Sequence, residues 1–206
     1  MGKPIVYGAD YSVYVRIVRL ALEEKDIDYE LVPVDVFAAE GIPAWYLEHH
    51  PFGRIPAFEH DGFRLFEASA IARYVDEAFA GRALQPQDPR GRARMNQIIG
   101  MLDAYGYRAM VWDVAVERLE KVPPDEALIA SGLSTASTAV RVLSSLKAEG
   151  PWLLGDQLTL ADLHAAPIID YFLRVAEGQS LLAEFPDIQA WWTHIAARPG
   201  FANRVT

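Results

Sequence analysis

Apolar and polar positions follow two different periods along this chain, and the change of period divides it. Pro4-Ile5-Val6-Tyr7-Gly8 is a short apolar run ended by glycine and predicts a buried strand. Val13, Ile17, Leu20 and Ala21 then recur at helical spacing over 13–25, with Glu23, Glu24 and Lys25 at the polar end. Ser12 stands where an N-cap belongs. Tyr29, Leu31 and Val34 alternate with polar residues over 28–34 and predict a second strand. A βαβ start implies two parallel strands with a right-handed crossover. Residues 36–50 are weakly periodic, are broken by Gly41 and Pro43, and predict a short irregular helix. Residues 55–60 and 63–66 read as strands around Asp61-Gly62, a hairpin signal, and 67–79 reads as a helix.

From there on the pattern is helical. Residues 81–89 hold two prolines and a glycine with few large apolar residues, and read as a linker. Met95, Ile98, Ile99, Leu102, Ala109, Val116 and Leu119 mark one long amphipathic helix, stopped by Pro123-Pro124. Further helices are predicted over about 125–148, 160–175 and 187–197, the last ended by Pro199-Gly200. The expected organisation is βαβαββα over residues 1–80, a linker over 81–89 and an all-helical domain over 90–206. That is an α/β domain followed by an all-α one.

Composition narrows the chemistry. The 206 residues are 51% apolar and 23% charged, an ordinary globular mix. Net charge is −9, and residues 1–80 alone carry 7 basic against 14 acidic side chains. Such a chain lacks the basic footprint of nucleic-acid binding. There are no cysteines, which removes disulfides, Cys-based metal sites and a Cys nucleophile. Any thiol in the chemistry must come from a second molecule. No membrane span and no signal peptide are expected, so a cytoplasmic location is. The five histidines are isolated or adjacent rather than spaced as ligands, and no metal site is expected. No Lys or Arg lies between Lys25 and Arg54.

Four stretches, in order, resemble the cytosolic glutathione transferases. Tyr7-Gly8-Ala9-Asp10-Tyr11-Ser12 leading to Leu22-Glu23-Glu24-Lys25 is similar to the start of the serine-type enzymes, the phi class in particular. Pro51-Phe52-Gly53-Arg54-Ile55-Pro56-Ala57-Phe58 resembles the NPFGxVPAF loop, and Leu65-Phe66-Glu67-Ala68-Ser69-Ala70-Ile71 resembles LFESxAI. Gly155-Asp156-Gln157-Leu158-Thr159-Leu160-Ala161-Asp162 matches GDxxTLAD in the helical domain. Within it Thr159 and Asp162 are spaced as a capping box, with Leu158 and Leu163 as a hydrophobic staple, a folding element without chemistry. The resemblance implies a thioredoxin-like N-terminal domain, glutathione as co-substrate, a homodimer and a role in detoxification.

Ser12 is the residue to which the resemblance gives thiolate stabilisation. Lowering a thiol pKa of about 8.5 by two units takes about 2.7 kcal/mol. A hydroxyl donating to a thiolate contributes about 1.5–3 kcal/mol. A helix N-terminus adds about 0.3–1 kcal/mol, more where partly buried. Together these suffice without a metal or a general base. Tyr7, near the end of the first strand, and Tyr11, beside Ser12, are the rival donors.

Further site residues follow from the resemblance. Pro56 matches a cis-proline that turns the backbone of Ile55 toward the cysteinyl part of glutathione, in strand-like pairing. Glu67 is given the α-amino group, and the helix start at Ala68 and Ser69 the γ-glutamyl carboxylate. Two departures stand out. Ala68 replaces a serine, and Gly41 and Ile42 replace a basic pair for the glycyl carboxylate, leaving Arg54 as the nearest cation by sequence. The electrophile pocket is expected between the domains, with Tyr11, Val13, Tyr107, Met110 and Val111 as candidate lining.

The leading function is therefore transfer of glutathione to a small apolar electrophile, with peroxide reduction as a side activity. The alternative is a non-catalytic ligand-binding or scaffold protein of the same fold, which the two departures favour. A third reading, an enzyme using another thiol or none, predicts turnover without glutathione. The homodimer is expected through the 60–75 region and the long helix, with Asp76 and Glu77 facing Arg92 or Arg94 of the second copy.

Overall fold

The computed structural model describes residues 2–202. It divides into two compact units, Met1–Leu84 and Gln85–Thr206. The first holds strands β1 (Ile5–Gly8), β2 (Glu30–Pro33), β3 (Ala57–His60) and β4 (Phe63–Phe66), with helices α1 (Val13–Glu24) and α2 (Ala68–Ala78). The sheet runs β2-β1-β3-β4. β1 and β2 are parallel, as the βαβ start requires; β3 is antiparallel to β1, and β4 to β3. The apolar stripes of α1 and α2 meet each other, burying Val15, Ile17, Val18, Leu22, Ile71 and Val75 with Val6 and Phe58 of the sheet.

One register detail decides where chemistry can happen. Tyr7 of β1 is opposite Ala57 of β3, and Ala57 is opposite Phe66 of β4. The turn after β1, the loop before β3 and the turn after β4 therefore open at the same end of the sheet. Gly8 pairs with Pro33, so the segment after β2 opens there too. Neighbouring strands are about 4.8 Å apart, so the three turns from β1 to β4 span about 10 Å.

The segment predicted as an irregular helix over 36–50 is a single 3₁₀ turn, Ala44–Glu48, in which Tyr46 alone is buried. A buried ion pair closes the unit's far side. Lys25 Nζ meets Asp76 Oδ1 at 3.1 Å, with side chains 2% and 6% exposed, and also donates to the carbonyls of Asp76 and Arg82. Asp76 Oδ1 takes the N–H of Leu84 as well. Asp76 is thus engaged inside its own chain, and Arg92 is bonded to the carbonyls of Pro86 and Gln87, against the expectation that these two meet across a dimer.

The second unit is helical. α3 (Pro89–Met101) runs on without a break through π-helical stretches, Leu102–Gly106 and Arg108–Val116, into α4 (Glu117–Glu120). In the π turns Tyr107 N–H is bonded to Leu102 O, and Leu102, Ala109 and Val116 are all buried along this run, as are Met110, Val111 and Val114. Leu119, predicted on that side, is exposed. α5 (Glu126–Leu146) is long and apolar enough, by length and composition, to cross a membrane. Its buried face packs on the π-helical stretch, and Gly132 lets the backbones close up, since a Cβ there would stand 2.9 Å from Val114. α6 (Leu160–Phe172) is the core helix, with residues 160–170 all buried.

The capping box at the start of α6 does more than cap. Asp162 is wholly buried, and its oxygens accept from Thr159 N–H, Thr159 Oγ1, Leu153 N–H and Trp191 Nε1 at 2.8–2.9 Å. One carboxylate thereby ties the loop before α6 and helix α8 (Pro186–Ala196) to the core helix. Sequence reasoning missed α7 (Ala176–Ala183) and the short α9 (Pro199–Ala202), which begins at the proline read as a stop.

Candidate active site

The site is built at the turn end of the sheet. Gly8 ends β1, and Ser12 caps α1 with extended backbone (φ −74, ψ 124). Its Oγ accepts from Val15 N–H at 3.4 Å, so the hydroxyl proton is directed away from the helix. Ser12 is half-buried. It lies on the positive end of a 12-residue helix whose first turn holds no acidic residue.

Across the sheet end, the Ile55–Pro56 bond is cis and both residues are buried. The loop leading into it is held from behind. Tyr46, fully buried, donates its hydroxyl to Arg54 O at 2.6 Å. Gly53 has a positive φ of 59°, and a Cβ there would stand 2.6 Å from Ile42 Cδ1. Ile42 and Leu47 therefore flank the Gly53 side of the loop, and a side chain there would require Ile42 to shift as well as a strained backbone. The Arg54 side chain is exposed.

The third turn supplies the acid. Glu67 caps α2 at φ 72, ψ 109, a left-handed conformation that a non-glycine residue holds only where its surroundings demand it. Its carboxylate makes no cap bond. Its carbonyl takes the N–H groups of Ala70 and Ile71, which leaves those of Ala68 and Ser69 facing outward. Ala68 is buried and Ser69 half-buried. His50 is 3% exposed, with its ring 4.9 Å from Phe66, and burial holds its pKa below the usual imidazole value.

The rival phenols are differently placed. Tyr11 donates its hydroxyl to Asp35 Oδ1 at 2.7 Å, and burial together with that carboxylate pushes its pKa up to about 12. Tyr7 is 8% exposed among Trp45, Tyr46 and His49, with its pKa raised by burial and then by Glu59. Of the other pocket candidates, Val13 is buried in the first unit, and Met110 and Val111 in the second. Tyr107 is half-buried, and its oxygen accepts from Trp112 Nε1 at 2.9 Å. Among the described residues no group of three or more His, Cys, Asp or Glu could hold a metal ion. Tyr46 and Asp35 escaped sequence reasoning, because each lies among apolar neighbours in the weakly periodic stretch after β2 and belongs to no motif.

Comparison with known proteins gives the chain's family and relatives. The glutathione S-transferase N-terminal domain family matches residues 6–83, and the C-terminal domain family matches residues 121–199. Glutathione S-transferase F13 of Arabidopsis thaliana is 30% identical over 203 residues, 95% of this chain and 92% of that protein. Glutathione S-transferase PARB of Nicotiana tabacum is 31% identical over 203 residues, 96% of this chain and 95% of that one. The crystal structure of poplar glutathione transferase F1 superposes with a TM-score of 0.86 at 27% identity, over 100% of this chain and 97% of that one. With both domain families matched in order and relatives spanning nearly its whole length, this chain belongs to the glutathione S-transferase family, among phi-class relatives.

Proposed function

We propose that this protein conjugates glutathione to a small apolar electrophile and that Ser12 Oγ stabilises the attacking thiolate. The reading is supported above all by the strand register: the turn that leads to Ser12, the loop with Ile55-cis-Pro56 and the turn at Glu67 open at one end of the sheet, from strand ends that span about 10 Å, comparable to an extended tripeptide. Glutathione would lie along the loop before β3, its cysteinyl backbone pairing with Ile55. Its ammonium would meet Glu67, and its γ-glutamyl carboxylate the free N–H groups of Ala68 and Ser69. The glycyl end would then point toward Gly53 and Arg54, and Arg54 is the cation available there. The bound thiol loses its proton to solvent. The thiolate lone pair forms the S–C bond, and the leaving group departs with its electron pair. The protein supplies thiol activation and proximity. We assign the first unit's part of the electrophile wall to Tyr11, which is exposed beside Ser12.

The absence of a serine at Ala68 favours a second reading, a ligand carrier of the same fold. Calorimetric titration with reduced glutathione separates the two from a protein that binds no thiol. Binding between micromolar and low millimolar is expected, weakened about 5- to 20-fold in Arg54→Gln by loss of a charge-assisted hydrogen bond of about 1–2 kcal/mol. No heat at millimolar glutathione would overturn the proposal. Binding without turnover of any electrophile would leave the carrier reading in its place.

A further inference from the structure

An aromatic pair beside Ser12 is left open to solvent and yet is held in place. Tyr11 is 44% exposed and Phe37 64% exposed, with ring centroids 5.7 Å apart and planes inclined by 37°. That is the range of a favourable tilted aromatic contact. Other large side chains are as exposed, Phe52 and Tyr105 among them, but Tyr11 stands next to Ser12 in the turn after β1, and the pair is fixed in place. What fixes them is one carboxylate oxygen. Asp35 Oδ1 accepts from Tyr11 Oη at 2.7 Å and from the N–H of Phe37 at 2.9 Å.

The topology explains the meeting. Val34 N–H pairs with Gly8 O, so Asp35 emerges from the β2 side directly against the turn that follows β1. Tyr11 immediately precedes Ser12 in that turn. Asp35 therefore ties the thiol-activating turn, the ring of Tyr11 and the ring of Phe37 into one piece, all within the first unit. Its two hydrogen bonds, to Phe37 N–H and to Tyr11, hold its pKa below the usual carboxylate value, so the clamp is ionised throughout the neutral range.

We propose that Asp35 is a positioning residue for electrophile selection: by clamping Tyr11 and Phe37 it builds a rigid aromatic platform beside the sulfur site, suited to planar aromatic electrophiles. The inference rests on the glutathione-transfer reading. The platform offers a ring face to which a planar substrate can add a third ring, while an aliphatic electrophile gains little from it. Asp35 itself touches neither the sulfur nor the substrate carbon. It acts through the two rings. It also occupies the Tyr11 hydroxyl, which leaves thiol activation to Ser12.

The test compares 1-chloro-2,4-dinitrobenzene with iodomethane as electrophiles, using the full chain and the variants Asp35→Ala, Asp35→Asn and Tyr11→Phe. Asp35→Ala is expected to raise the KM for the aromatic electrophile about 5- to 10-fold while leaving the KM for glutathione and the iodomethane rate within twofold. Tyr11→Phe keeps the ring and loses its tether, and a smaller rise of about 3-fold is expected. Asp35→Asn keeps an acceptor oxygen at the same place and is expected to restore most of the aromatic preference. A merely structural role would instead move both electrophiles and the melting temperature together. An unchanged ratio of aromatic to aliphatic kcat/KM in all three variants would overturn the inference. Wild-type protein that binds no glutathione would overturn the underlying reading and the inference with it, an outcome distinct from an unchanged ratio.

Discussion

Arg54 and Glu67 show how few side chains the thiol site has to work with. Glutathione brings two carboxylates and one ammonium. Of the basic side chains in the first unit, Lys25 is buried against Asp76, Arg19 is paired with Asp10, and Arg64 with Glu59. Arg54 is the basic side chain of the loop before β3, while Asp35, Glu40 and Glu48 make the segment before it acidic. A single cation and a bare helix N-terminus are weaker anchors than a basic pair and a serine. We expect Gly41, Ile42 and Ala68 to weaken glutathione binding. The thiolate donor depends on the same kind of accounting. Tyr11 has its proton committed to Asp35, and Tyr7 is enclosed by three rings, whereas the Ser12 hydroxyl takes its hydrogen bond as an acceptor and retains a proton to give. The sequence spacing left these three open. We take the hydrogen-bond directions, which no sequence pattern encodes, as the ground for proposing Ser12.

At the scale of elements, what was legible followed from period and punctuation. Strands β1 to β4 and helices α1 and α2 fall within two residues of their expected ends, because each is amphipathic and bounded by Gly, Pro or an N-cap. The short irregular helix read over 36–50 is the 3₁₀ turn Ala44–Glu48; its bounds were not legible, since a single buried Tyr46 has no period. α7 is short, and α9 starts at a proline that is as acceptable at the first turn of a helix as after the last. The Lys25–Asp76 pair was equally invisible: its partners are 51 residues apart, and only the packing of α1 against α2 brings them together. Removing one member of a buried pair strands the other charge, at a cost of about 3–5 kcal/mol. Lys25→Met is therefore expected to lower the melting temperature by roughly 10 °C, read by circular dichroism. An unchanged melting curve would show that the pair contributes nothing net.

For the whole molecule, the register of the sheet is what converts scattered motifs into a site. Three stretches that are unremarkable apart, around residues 12, 55 and 67, lead off from one end of the sheet because Tyr7, Ala57 and Phe66 lie in a row. The order of the motifs made that fold readable. The identity of the electrophile was not, since an apolar wall carries no local signature. Assembly belongs to this scale too. We propose a homodimer through the 60–75 region and the helical run from Pro89 to Glu120, without the Asp76 contact that the sequence suggested. Light scattering is expected to give twice the 22.9 kDa chain mass. A mass of one chain at micromolar concentration would contradict it.

The central claim is that Ser12 lowers the pKa of the bound thiol, and an ultraviolet difference titration of the protein–glutathione complex measures it directly. The thiolate absorbance of the wild-type complex is expected to rise with a midpoint about two units below that of free glutathione. In Ser12→Ala the midpoint should return upward by about 1–2 units, from loss of a charge-assisted hydrogen bond of about 1.5–3 kcal/mol. Equal midpoints in the two proteins, with glutathione bound in both, would contradict the account and return the donor role to another group.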